Sequence, residues 1–367
     1  MLALFVLTGC ASSQPGASTS SPSPSVVASS QTSPSALPTA SPSATATPAP
    51  PVAYGVFLKY MPNAAPPLPG PPEEISVVAT DGTVVAHVAP VPRSTAPGPW
   101  LSASNSAVYF TDGDTKVRAL TPDGKVRDVT TVPGGASIGS TFAVSPDDRR
   151  IAVAVLDSSA NPVKALIYVE DLIGHTNHSE IYATTFASHG VGPIFQVVGW
   201  HQGHIVLFLA NETAFAGYHL IDATDATRLA TVCPSGWEVT GNIEPAGVLC
   251  WRNIPGSPNQ WSLAVESWRG VLTMVPSTPE GPYCTGLSPR GTYVACSGQP
   301  IVVHRVADGA PVPVPASRVV LGWIDETHVV VGADTPPANV VVDITTGTAA
   351  PTTALGAYMT ALPGGLD

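Results

Sequence analysis

Four histidines have the spacing of metal ligands. His175-x-x-His178 and His201-x-x-His204 each hold two imidazoles close together in a short polar turn, and the two pairs could supply nitrogen ligands to a zinc or copper ion, with Glu180 as a further donor. Strand counting puts both turns on one face of the fold derived below but at different radii, so the alternative is four ordinary turn histidines. Gly135-Ala136-Ser137-Ile138-Gly139 has the spacing of a nucleophile elbow. That motif thrusts its serine up between a strand and a helix, whereas here Thr141 to Val144 continues as a strand, so a connecting loop is expected. Asp112-Gly113-Asp114 pairs two carboxylates without the further oxygen ligands of a calcium loop and reads as a turn. Trp237, Trp251, Trp261 and Trp268 fall within one repeat unit, where alternation would bury some as packing and could leave one or two as a sugar or peptide platform. Motif spacing assembles no set of acid, base and nucleophile.

Apart from Cys10, the cysteines are Cys233, Cys250, Cys284 and Cys296, which could pair in three ways. Turn register chooses among them. If Ser288 faces Thr292 across Pro289-Arg290-Gly291, then Cys284 faces Cys296 within disulfide reach. Cys233 and Cys250 remain for each other, the first beginning the loop into a repeat unit and the second ending that unit's second strand. Each loop closed would stabilise by about 3 kcal/mol on the chain-entropy model. Free buried thiols are the alternative.

The elements that must position these residues are short strands in a long repeat. Tyr283 to Pro315 reads as four strands and two tight hairpins, one blade of a β-propeller. Outer-hairpin turns centre on Asp81-Gly82, Asp123-Gly124, Ile173-Gly174, Thr224-Asp225, Arg269-Gly270, Asp308-Gly309 and Thr346-Gly347. They recur every ~44 residues, the length of a four-stranded blade. The chain is therefore expected to be all-β, a seven-bladed propeller, with six or eight blades as alternatives. Gly199-Trp200, Gly241-Asn242, Gly286-Leu287 and Gly322-Trp323 each end a first strand. The first blade lacks an inner strand of its own, while Ala357 to Leu362 is a spare apolar strand at the far end. The two ends would share a blade, and that closure removes an exposed sheet edge.

Val144-Ser145-Pro146-Asp147-Asp148-Arg149, Leu287-Ser288-Pro289-Arg290-Gly291 and Thr121-Pro122-Asp123-Gly124-Lys125 resemble the Ser-Pro-Asp-Gly hairpins of TolB-type propellers. Arg149 and Arg290 depart from the pattern, whose residues serve the turn itself. The resemblance implies extracytoplasmic protein or ligand binding. Such propellers also ride on peptidases, but no peptidase domain can be read here.

At the N-terminal end, Leu7-Thr8-Gly9-Cys10 resembles the lipobox of bacterial lipoproteins, which implies that Cys10 is lipidated. The preceding apolar residues are too few to span a bilayer, and no basic residues precede them, which points to a translation start further upstream. Residues 11–52 contain no charged and no aromatic residue. Such a segment cannot bury enough surface to fold, and would tether the propeller of residues 53–367 across about 40 Å as a coil.

All 26 acidic and 15 basic residues lie beyond this tether, and the net charge of −11 argues against nucleic acid as a partner. The expected function is a monomeric, envelope-anchored extracytoplasmic lipoprotein. It would meet the membrane only through its lipid and would bind an envelope protein or polysaccharide, with no cofactor beyond the candidate metal. The alternatives are a propeller hydrolase or lyase with residues converging in the central channel, and a structural spacer.

Overall fold

The computed structural model describes residues 52–59, 73–94, 99–186, 194–210, 217–233, 237–254, 256–257, 261–276, 283–298, 300–314, 319–332 and 339–366. Cys10 and the uncharged segment up to residue 51 lie outside them. Seven four-stranded antiparallel sheets make up the architecture. Blade 1 holds β1 (Tyr54–Lys59), β2 (Glu74–Ala79) and β3 (Val84–Val88), with β28 (Ala357–Leu362) paired to the inner edge of β1. Blade 2 holds β4 (Leu101–Ala103), β5 (Val108–Asp112), β6 (Lys116–Leu120) and β7 (Val126–Thr131). Blade 3 holds β8 (Ile138–Val144), β9 (Arg150–Asp157), β10 (Val163–Asp171) and β11 (Ser179–Phe186). Blade 4 holds β12 (Ile194–His201), β13 (His204–Ala210), β14 (Gly217–Ile221) and β15 (Arg228–Val232). Blade 5 holds β16 (Glu238–Glu244), β17 (Gly247–Asn253), β18 (Trp261–Glu266) and β19 (Leu272–Val275). Blade 6 holds β20 (Cys284–Leu287), β21 (Tyr293–Cys296), β22 (Val302–Arg305) and β23 (Pro311–Val312). Blade 7 holds β24 (Val319–Trp323), β25 (His328–Gly332), β26 (Asn339–Asp343) and β27 (Ala349–Thr352). Among the described residues there is no α-helix.

Burial follows radius. Second strands such as β9 and β25 are buried along most of their length, because neighbouring blades cover both faces of the sheet. Their sequences are accordingly continuous apolar runs rather than alternating ones. The outermost strand β11 is exposed at most of its positions. One apolar cluster lies at each of the seven blade-to-blade interfaces. The core of this fold is thus a ring of seams.

Polar staples cross the seams close to the axis. The Trp200 indole N–H donates to the Ala143 carbonyl at 2.8 Å, and the Trp323 indole to the Gly286 carbonyl at 3.1 Å. The Tyr358 hydroxyl donates to the Trp323 carbonyl, which carries the pattern across the closing seam. The recurrent inner-strand glycines belong to the same arrangement. A Cβ on Gly286 would stand 2.7 Å from Val320, and one on Gly322 would stand 2.2 Å from the Tyr358 ring. Strands nearest the axis approach so closely that the side chain of one blade occupies the space over the glycine of the blade before it.

Local register departs from expectation in informative ways. Ser288 pairs with Tyr293 rather than Thr292, its N–H donating to the Tyr293 carbonyl at 2.9 Å. A bulge between Cys284 and Gly286 then shifts the ladder by one residue and sets Cys284 opposite Cys296. The structure pairs these two cysteines, and also Cys233 with Cys250, whose Cα atoms lie 5.6 Å apart. Cys250 sits in the middle of β17 and not at its end, so this second bridge ties the entry of blade 5 to the interior of its second strand. In blade 4 the left-handed position of the outer turn falls on Ala226, one residue beyond Thr224-Asp225.

Candidate functional site

The four histidines do not converge on a metal site. Among the described residues, no three of them bring ring nitrogens within 4.8 Å of one another. Each belongs to a different local arrangement. His175 is an exposed turn residue with φ 50°. His178 Nδ1 lies 3.2 Å from Glu170, and His204 Nδ1 lies 3.8 Å from Asp222. His201 is buried and hydrogen-bonds the Leu366 carbonyl. Outer and inner turns share a face but stand at different radii, which keeps the pairs apart.

The other motifs serve the framework. Ser137 is exposed, and its carbonyl accepts hydrogen bonds from the Ser158 N–H and hydroxyl, both at 2.9 Å, as the chain enters β8. Asp112 accepts from the Val91 N–H at 2.6 Å and Asp114 from the Ser94 N–H and hydroxyl at 2.8 and 2.6 Å, so this pair fastens the connection between blades 1 and 2. Trp237 and Trp268 are buried, whereas Trp251 and Trp261 meet edge to face at 4.8 Å and are half-buried. Cys233, Cys250 and Glu266 form the one described group with metal-ligand proximity, but the two sulfurs are bonded to each other. Glu266 instead accepts the Cys233 N–H, and burial raises its carboxyl above the ordinary value.

Two concavities stand out among the described residues. The first is a cavity of about 260 Å³ around the axis, formed where the inner strands of blades 1 to 5 end. Pro363, Gly364, Gly365 and Leu366 line one side of it after leaving β28. The Gly364 N–H donates to the Ser104 carbonyl at 2.8 Å, and a Cβ on Gly365 would stand 2.6 Å from Pro146. The segment thus passes over blades 2 and 3 to reach the seam of blades 4 and 5, where Leu366 is buried. Among the described residues, Glu244, at the end of β16, is the one carboxyl on the cavity wall, and no Lys, Arg or His lines it. Burial pushes the Glu244 carboxyl well above the usual carboxylate range, and the Glu326 carboxylate adds to the push. Linear motif reading missed Glu244 because its setting comes from five blades at once.

This shift carries a prediction. A carboxyl whose pKa is raised on folding favours the native state below its ordinary value near 4.5, and that contribution is lost as pH rises through the folded-state value. Glu244→Gln is therefore expected to melt a degree or more above the parent at pH 8, on the order of 1 kcal/mol for a half-buried carboxyl without a partner, and level with it near pH 4. Melting curves of both proteins across that range check it, and a parent more stable than the variant at pH 8 would contradict it.

The second concavity is an open groove of about 850 Å³ on the flank of blade 3. Ile138, Val155, Leu166 and Ala183 form its apolar floor. Lys164 and Asp157, cross-strand partners in β10 and β9, mark one end, and His178 and Glu180 mark the other. The groove exists because the outer hairpin of blade 3 overhangs its neighbour, β10 having 9 residues and β11 having 8 where β7 has 6.

No family model matches the chain, and no curated protein matches it. Solved structures that resemble it include TolB from Acinetobacter baumannii, at 13% identity over 84% of this chain and 82% of that one, with a TM-score of 0.39. A functionally unknown protein from Desulfotomaculum acetoxidans matches at 14% identity over 83% and 98% of the two chains, TM-score 0.46. The acylaminoacyl peptidase of Pyrococcus horikoshii matches at 10% identity over 77% of this chain, with a TM-score of 0.47, and the match spans 48% of the peptidase's own length. At such identities the likeness is one of fold.

Proposed function

We propose that the chain is an extracytoplasmic scaffold, held at the cell envelope by lipidated Cys10, whose propeller binds a protein or polymer of the envelope and performs no chemistry of its own. The observation that carries this reading is the blade 3 groove, which offers an open apolar floor with charged groups at both ends. Apolar contact there supplies affinity, and the flanking charges supply orientation. Two disulfides support an oxidising compartment. Rigid blades with a recessed flank suit a binding task, since the surface is preorganised and loses little freedom when a partner docks.

One experiment in intact cells tests anchor and surface together. A photo-crosslinking residue at Ala183, in the groove, is compared with one at the exposed Leu229 on the outer strand of blade 4. The expected result is a discrete envelope adduct from Ala183 alone, in a protein that takes up an alkyne fatty acid. Cys10→Ala should abolish the label and release the protein from the envelope fraction. Labelling that persists in Cys10→Ala would remove the anchor, and identical adduct patterns from Ala183 and Leu229 would remove the groove.

A further inference from the structure

The axial cavity holds a chemical imbalance that the scaffold reading does not use. Its walls carry the Glu244 carboxyl, and among the described residues no group hydrogen-bonds that carboxyl or forms an ion pair with it. The Trp268 indole holds only the Glu244 backbone carbonyl, at 2.9 Å. The charged and titratable groups that interact with this carboxyl are the Glu326 carboxylate from blade 7 and the Tyr358 phenol from β28, neither of which neutralises it. The phenol proton is already engaged by the Trp323 carbonyl. The Glu244 side chain thus shares a partly open concavity with the half-buried Trp100 and Tyr218, while Trp200 and Tyr358, which also line it, are buried and the Trp200 ring already carries the Arg150 guanidinium at 4.7 Å.

We propose that this cavity is a binding site for a small organic ammonium ion, with the Glu244 carboxylate as counter-charge and Trp100 and Tyr218 as its aromatic walls. Three features select that chemistry. Aromatic faces attract a cation that has shed its water, and they favour the diffuse charge of an ammonium group over a compact ion. A hard metal ion needs six to eight oxygen ligands, or an octahedron of them, and a single carboxylate on a mostly apolar wall does not provide such a set. The cavity, at about 260 Å³, falls just below the size range of drug-binding pockets, which begins at about 300 Å³, so the occupant is small. This site is separate from the blade 3 groove, and either can fail without the other.

Protonation of Glu244 provides a signature that a neutral ligand would not. A cation binds the ionised carboxyl, so binding expels the proton and affinity rises with pH until the carboxyl is ionised in the free protein. A polyol that used the neutral carboxyl as a hydrogen-bond donor would show the opposite slope.

The test is titration calorimetry of the purified chain with tetramethylammonium and ethylammonium chloride, against sodium and potassium chloride at matched ionic strength. Saturable binding of at least one ammonium salt is expected, strengthening from about pH 5 to about pH 8 and releasing protons in buffers of different ionisation enthalpy. Glu244→Gln should weaken it at least tenfold. Absence of saturation with either ammonium salt would overturn the proposal, as would equal affinity in the Gln variant or equal binding of sodium or potassium. Should that variant fold poorly, the pH slope and proton release of the unaltered protein decide, and binding without either sinks the idea.

Discussion

Removing residues 355–367 is expected to unseat the whole ring, and not merely to fray one edge. The deletion takes away β28, whose partners in β1 are some 300 residues distant in sequence. Tyr358, Leu362 and Leu366 are each less than a tenth exposed, and they belong to three different seams. At about 1.5–3 kcal/mol for each large buried side chain, their loss amounts to roughly 5–9 kcal/mol, comparable with the whole stability of an ordinary domain. Further consequences add to it. The inner edge of β1 would be left with unpaired N–H and C=O groups, the Phe57 ring would lose the Tyr358 ring 5.7 Å away, and Gly322 would face a void. Truncated protein should therefore aggregate or melt at least ~10 °C below the full chain. A melting point within a degree or two of the parent would mean that blade 1 stands on three strands.

That strand was readable from sequence for a simple reason: repeats leave a remainder. Seven outer turns and a first blade without an inner strand leave one apolar strand over, and Ala357–Leu362 is where the structure places it. Turn chemistry fixed the period because an outer hairpin this tight needs a left-handed residue at a set position. Blade 4 blurs the signal, since it uses Ala226 at φ 56° there. The Cys284–Cys296 pairing illustrates a different limit. Assuming a register one residue off at the turn still leads to the right partners, because the bulge at Thr285 shifts the ladder back by one residue. Bulges have no local sequence signature beyond the neighbouring glycine.

Site geometry was far less readable. The histidine pairs do share a face, yet strand counting gives no radius, and radius decides whether two turns meet. Glu244 escapes motif reading altogether, since its neighbours Tyr358, Trp100 and Glu326 come from three other blades. The blade 3 groove depends on strand lengths differing between adjacent blades, a comparison that needs the boundaries of β7, β10 and β11. Such features follow from the superposition of blades about an axis, which a linear pattern does not contain.

Gly241→Ala is expected to be among the most damaging single-methyl changes in the protein, costing about 3 kcal/mol or more. Two effects add at this position. Its φ is +74°, where an L side chain costs roughly 1–2 kcal/mol. A Cβ built there would also lie 1.9 Å from the Thr285 carbonyl oxygen and 2.7 Å from its carbon. Thr285 is the bulge residue between Cys284 and Gly286, on a strand pinned to β21 by the disulfide, so its carbonyl cannot rotate aside. Relief would require parting the inner strands of blades 5 and 6, an overpacking strain of about 1–3 kcal/mol on top of the first term. Gly124→Ala is the control: its φ is +82°, yet nothing lies within 4 Å of its would-be Cβ, so only the backbone term of about 1 kcal/mol should appear. Urea unfolding followed by tryptophan fluorescence compares the two midpoints at constant slope. If both variants lose the same stability, the close approach of β16 and β20 at the axis does not exist, and the inner-strand glycines would be turn residues like those of the outer hairpins.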